Sequence, residues 1–210
     1  MRKRTYWGFI KDPIHGYVHI TELEKELIDT RVVQRLRRLR QLAGAEYVYP
    51  GANHTRFEHS IGVMYLAGVL AESLPVNLTD EDIQMVRIAG LLHDVGHGPF
   101  SHIYESLSMK YLGKTHEDLT QWVISESELA DILSNMGYSP QKISKLAIGD
   151  LREEGRLFLD QIISSAVDVD KMDFIIRDSY HTGAEYGYVD IFRLISVSYT
   201  HLTLPTTERV

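Results

Sequence analysis

The stretch Leu91-Leu-His-Asp-Val-Gly-His97 places a histidine–aspartate pair at the end of an apolar helical run. From Ile83 to Val95 nearly every position is apolar, and Thr79-x-x-Asp82 ahead of it is a capping-box pattern. The spacing therefore predicts a buried helix that breaks at Gly96-His-Gly-Pro99. An unpaired carboxylate buried there would cost several kcal/mol, so something must compensate Asp94. Either Asp94 bonds the His93 imidazole or a cap, or the pair offers one nitrogen and one oxygen to a cation. Two other segments pose the same problem. Arg56-Phe-Glu-His59 sets Arg56 and His59 three residues apart, on one helical face, where a second buried helix starts and runs to Leu74. Asp168-Val-Asp-Lys-Met-Asp173 puts three carboxylates into an otherwise apolar helix that also carries Lys171, Arg177 and Asp178. Each could be a plain ion pair. A histidine, a His-Asp pair and a late aspartate, all inside apolar helices, are harder to explain that way.

Around this nucleus the pattern is mostly helical. Aromatic and apolar residues flank Asp12-Pro13 and His15-Gly16, which predicts a small N-terminal hairpin. Thr21-x-x-Glu24 caps a short helix towards Asp29, and Val32, Val33, Leu36, Leu39 and Leu42 form a helical stripe that stops near Gly44. Tyr47 to Gly51 reads as a brief extended stretch and turn. Further helices are expected at about 102–112, 116–135, 140–148 and 158–181. Residues 196–210 lose helical periodicity and are rich in threonine. They are expected to be a non-native or disordered tail, leaving residues 1–195 as the domain.

Composition narrows the chemistry. The 210 residues carry 22 Lys and Arg against 29 Asp and Glu, a net charge of −7, which argues against a general nucleic-acid coat. With no cysteine, disulfide scaffolds, thiol nucleophiles and Cys-ligated zinc are excluded, so any metal must be held by His and carboxylates. No apolar run reaches the roughly 18 residues of a membrane helix, and Lys11 and Asp12 interrupt any signal-peptide core, so a cytoplasmic location is expected. Of the ten histidines, six lie between His54 and His116.

His59, His93-Asp94 and Asp170 together resemble the H…HD…D pattern of the HD superfamily of metal-dependent phosphohydrolases. Longer motifs resemble its deoxynucleoside triphosphate triphosphohydrolase branch: Asp12-Pro-Ile-His-Gly16, Gln34-Arg-Leu-Arg37, Gln41-Leu42, Pro50-Gly-Ala-Asn-His54-Thr-Arg-Phe-Glu-His-Ser60, His93-Asp-Val-Gly-His-Gly-Pro-Phe-Ser-His102 and Asp168-Val-Asp-Lys-Met-Asp-Phe174 followed by Arg177-Asp178. The resemblance runs from about residue 9 to 195 and implies an HD helical bundle, C-terminally truncated, since members of this branch are usually longer and form homo-oligomers. It implies one divalent metal held by His59, His93, Asp94 and Asp170; the mixed donor set suits iron, manganese or zinc, with magnesium admissible alongside nucleotide. A metal-bound hydroxide would attack the α-phosphorus of a dNTP, dGTP in particular, releasing deoxynucleoside and inorganic triphosphate.

Other roles follow from the same resemblance. His97, His102 and His116 line the site, with His102 protonating the leaving 5′ oxygen and Glu105, where the family more often has aspartate, tuning that histidine. Arg56 and Lys171 meet phosphate oxygens, and Gln41 and Asp178 contact the sugar. Asp29, Gln34 and Arg37 match residues that hold an activating GTP or dGTP, although Gly8 stands where a relative has lysine. Arg31, Arg35, Arg37, Arg38 and Arg40 read as a solvated face or as a strip for single-stranded nucleic acid. His15, His19, His54, His181 and His201 are assigned no catalysis. Two other readings stand beside this one: an HD phosphohydrolase for monophosphates, cyclic nucleotides or alarmones, and a nucleotide-sensing or single-stranded nucleic-acid-binding module without turnover.

Overall fold

A computed structural model of the chain describes residues 4–187 and 189–203, with the backbone alone described for His102 and residues 198–203. The fold is mostly α with one hairpin, as the patterning predicts. Strands β1 (Tyr6–Asp12) and β2 (Gly16–Thr21) pair antiparallel, with Ile10 opposite Val18 and Asp12 opposite Gly16. Asp12 closes the turn by accepting from the amides of Ile14 and His15 at 2.9 and 2.8 Å, and Gly16 takes a positive φ of 78° that leaves the turn unstrained.

Thr21 and Glu24 form the expected capping box at α1 (Glu22–Ile28). The stripe that follows is helical only over α2 (Arg31–Gln34) and a 3₁₀ turn at Arg35–Arg38. It ends early because the chain turns extended at Leu39, where its carbonyl accepts from the Arg56 amide and Gln41 donates to the His54 carbonyl. A second 3₁₀ turn, Ala45–Tyr47, replaces the start of the expected extended stretch.

The centre of the fold is α3 (Arg56–Ser73), buried around most of its circumference, with α4 (Asp80–Leu92) packed along it. Gly90 makes the approach close, since a Cβ there would sit 3.1 Å from the Val63 carbonyl oxygen. Helix α4 stops at Leu92, so His93 and Asp94 occupy the turn just beyond it rather than its last turn. Then come α5 (His102–Leu112), α6 (His116–Glu126), α7 (Glu128–Asn135) and α8 (Pro140–Ala147). The predicted 116–135 helix is two, broken at Ser127, whose hydroxyl caps α7. Likewise 158–181 divides into α9 (Phe158–Ile163) and α10 (Val169–Thr182), because Asp168 caps the second by accepting from the Lys171 amide at 2.8 Å.

Helix α11 (Ile191–Thr203) runs past the expected end of the helical pattern at residue 195, anchored by buried Ile191 and Ile195. Residues 204–210 of the expected tail lie outside the described residues. Among the described residues no helix is long and apolar enough to cross a membrane.

One buried ion pair ties the hairpin end of the fold to its centre. Glu24, fully buried, accepts from Arg87 Nε at 2.6 Å and Nη2 at 2.9 Å, and from Gln84 at 2.7 Å. Glu24→Gln removes the charge partner of a buried guanidinium and is expected to lower unfolding stability by about 3–5 kcal/mol. Urea unfolding measures this as a lower midpoint at unchanged slope.

Candidate metal centre

Helices α4 and α10 reach the same end of α3. His59 lies in the first turn of α3, His93 just after α4 and Asp170 in the first turn of α10. Their side chains converge. His59 Nε2 is 2.9 Å from Asp170 Oδ1 and 3.3 Å from His93 Nε2, and His93 Nε2 is 3.7 Å from Asp170 Oδ1. The opposite ring nitrogens are both engaged: His59 Nδ1 donates to Asp173 Oδ2 at 2.8 Å and His93 Nδ1 to the Gly90 carbonyl at 2.7 Å. Such bonds orient an imidazole so that Nε2 is presented to a metal.

Asp94 borders the cluster. Its Oδ1 is 3.4 Å from both His93 Nε2 and His97 Nε2, while Oδ2 is 3.9 Å from His59 Nε2 and accepts from Arg56 Nη1. Burial raises the Asp94 pKa, but His93, Arg56, His97 and His59 together bring it well below the usual carboxylate range. His59 shows the complementary effect. Burial pushes its pKa down, yet hydrogen bonds with Asp170 and Asp173 override this and raise it to about 10. The cluster thus favours positive charge, and two imidazole nitrogens beside carboxylate oxygens are a donor set that suits a divalent metal ion. The residues fit such an ion.

A cavity of about 350 Å³ opens over this cluster, lined by His93, Asp94 and Asp170 together with Arg56, His97, His116, Gln41 and Asp178. His97 is buried; burial is the main reason its pKa falls to about 3, so it is neutral at pH 7. Its ring stacks on His116 at 4.3 Å, and His116 Nδ1 bonds Glu105 Oε1 at 2.5 Å. Glu105 therefore holds His116, while the His102 side chain lies outside the described residues. The turn leading into α5 is strained: Phe100 and Ser101 have φ of 59° and 38°, and Ser101 Oγ accepts from Arg56 Nε and Nη2 at 3.2 and 2.6 Å.

Lys171 makes its contacts elsewhere in this structure. One residue on from Asp170, it lies on another face of α10, where Nζ donates to the Ser165 carbonyl at 2.9 Å and to Asp168 Oδ2 at 2.5 Å instead of facing the cavity. The predicted effector residues cluster elsewhere: Gln34 donates to the Ile28 carbonyl at 2.9 Å, Arg37 Nε to Gln34 Oε1 at 2.9 Å, and Asp29 pairs with Lys25. The basic stretch is not one solvated face, because Arg35 turns inward and donates to the carbonyls of His97, at 2.9 Å, and Val95. Sequence reasoning gave no place at the site to Asp173, to Arg35, or to His54, which donates to Asp178 Oδ1 at 2.7 Å. The signal available for these residues was their place within the quoted motifs.

The chain belongs to the HD-domain family, whose profile matches residues 56–178. Among curated proteins it is similar to the human deoxynucleoside triphosphate triphosphohydrolase SAMHD1, at 36% identity over 212 residues, covering 85% of this chain and 34% of that protein. It is also similar to an uncharacterized protein of Methanocaldococcus jannaschii, 39% identical over 186 residues, covering 89% of this chain and 36% of that one. The crystal structure of a hypothetical protein from Aquifex aeolicus matches with a TM-score of 0.80 and 40% identity, over 90% of this chain and 50% of that one. The chain spans about a third of the length of these curated relatives.

Hydrogen bonds with Asp170 and Asp173 raise the His59 pKa to about 10 from the 6.5 of an ordinary imidazole, so the ring carries a proton at pH 7. That protonation stabilises the fold fully below pH 6.5, and the stabilisation is lost as pH rises through 10. Binding Mn²⁺ between pH 7 and 8 must expel the proton. Calorimetry in two buffers of different ionisation enthalpy is expected to report about one proton released per ion, with affinity rising as pH rises. Binding without proton release would place the ion away from His59.

Proposed function

We propose that this chain carries the catalytic centre of a deoxynucleoside triphosphate triphosphohydrolase, cleaving dNTPs, dGTP among them, to deoxynucleoside and inorganic triphosphate. The observation that carries this reading is the meeting of His59, His93 and Asp170 beneath a cavity lined by His97 and His116, in a chain similar to a triphosphohydrolase. A divalent ion held by His59, His93 and Asp170 would supply Lewis acidity and lower the pKa of water to about 7.

The chain's own residues do the rest. Arg56 fixes Asp94 at the edge of the cluster and faces the cavity, where it adds positive charge next to a phosphate oxygen. Gln41 Oε1, buried and without a hydrogen-bond partner among the described residues, is placed to accept from a sugar hydroxyl, and Asp178 is held by His54 at the cavity wall. Burial lowers the His97 pKa and favours its neutral form. His116, with Nδ1 fixed on Glu105, is the described histidine suited to give a proton to the leaving 5′ oxygen.

The test is chromatography of products from dNTP mixtures incubated with Mn²⁺, with and without GTP. Free triphosphate is the expected product. His93→Ala should abolish both turnover and bound metal, and loss of the His116 proton donor in His116→Ala should slow turnover by about 10²–10⁴-fold with metal retained. Orthophosphate or pyrophosphate would assign the chain to another phosphohydrolase class, and tight binding without turnover would make it a nucleotide-sensing module.

A further inference from the structure

The hairpin turn Asp12-Pro-Ile-His15 is a distinctive motif with no part in the chemistry described so far. In the fold it reaches the cluster through a single residue. His15 Nε2 donates to Asp173 Oδ1 at 2.6 Å, and His59 Nδ1 donates to Asp173 Oδ2 at 2.8 Å. Arg177 grips the same carboxylate, Nε to Oδ2 at 2.7 Å and Nη2 to Oδ1 at 2.9 Å, and gives Nη1 to Asp12 Oδ2 at 2.9 Å. Asp173 thus accepts four hydrogen bonds, two on each oxygen, which uses its whole acceptor capacity. It is fully buried, so no solvent can substitute for a missing donor.

Helix α3 also confines the carboxylate on one side. Gly62 of α3 backs it, and a Cβ there would lie 1.9 Å from Asp173 Oδ1 and 2.5 Å from Arg177 Nη2. The His15 ring is seated against Tyr65, with centroids 5.2 Å apart. The carboxylate plane is therefore determined from three sides, by Arg177, by α3 and by the hairpin turn.

We propose that Asp173 is a positioning residue for the metal centre, and that the turn Asp12–His15 sets its orientation and so the affinity of the site. The proposal rests on His59, His93 and Asp170 acting as metal ligands. A carboxylate on Nδ1 fixes the tautomer and ring angle of His59 and strengthens Nε2 as a donor, an effect that typically amounts to 10–100-fold in metal affinity. Removing the His15 donor leaves Asp173 Oδ1 with Arg177 alone and lets the carboxylate turn away from His59.

Mn²⁺ titration of the 210-residue chain, followed by electron paramagnetic resonance at pH 7.5, tests this. Asp173→Asn and His15→Phe are expected to weaken binding about 10–100-fold. His15→Gln, which keeps an amide donor near the Nε2 position, should recover most of the loss. Glu24→Gln, which destabilises the fold far from the cluster, should lower the melting temperature and leave Mn²⁺ affinity at the wild-type value. If Asp173→Asn does not fold, the two His15 variants decide alone. Wild-type affinity in His15→Phe would overturn the proposal, as would a loss in Glu24→Gln equal to that in His15→Phe. A wild-type chain that holds no Mn²⁺ would overturn the metal reading, and the proposal with it.

Discussion

Asp173 and Arg177 sit one turn apart on α10 and bury both charges completely against Gly62 of α3. Neither could occupy that place alone, because an uncompensated charge between helices would cost several kcal/mol. Together they weld α10 to α3, and through Asp12 and His15 they draw the hairpin onto the same seam. The consequence for the site is geometric. His59 and Asp170 meet because α3 and α10 are locked in register, and His93 joins them because α4 ends against the same face of α3.

The electrostatics of the cluster follow from this packing. Asp94 and Asp170 lie beside two imidazoles, with Arg56 as the permanent cation among the residues that line the cavity. Fixed groups of this kind need no rearrangement when charge develops nearby. The strained turn at Phe100 and Ser101 belongs to the same arrangement, since Arg56 binds Asp94 on one side and Ser101 on the other. One guanidinium therefore sets both the edge of the cluster and the path of the chain into α5.

Much of this was legible in the chain. The apolar runs that became α3 and α4, the capping boxes at Thr21 and Thr79, and the hairpin at Asp12–Gly16 are local signals, and the structure has all of them. What local spacing missed has a common cause. The stripe through Leu39 and Leu42 has helical periodicity, yet backbone pairing with the segment before α3 ends the helix at Arg38. Lys171 adjoins Asp170, but adjacent helical residues point about 100° apart, and here its ammonium donates to Asp168. Asp173, His15, His54 and Arg35 act through partners distant in sequence, which no window of neighbouring residues can report.

That distance shapes how the centre is assembled. Asp173 and His15 are 158 positions apart, and the carboxylate of Asp170 leaves a ribosome on the order of ten seconds after the imidazole of His59. During translation the early histidines are therefore incomplete chelators, with too few donors to retain an ion. Capture of an ion at this site would wait for α10 to dock, so occupancy would report a finished tertiary structure rather than a nascent one.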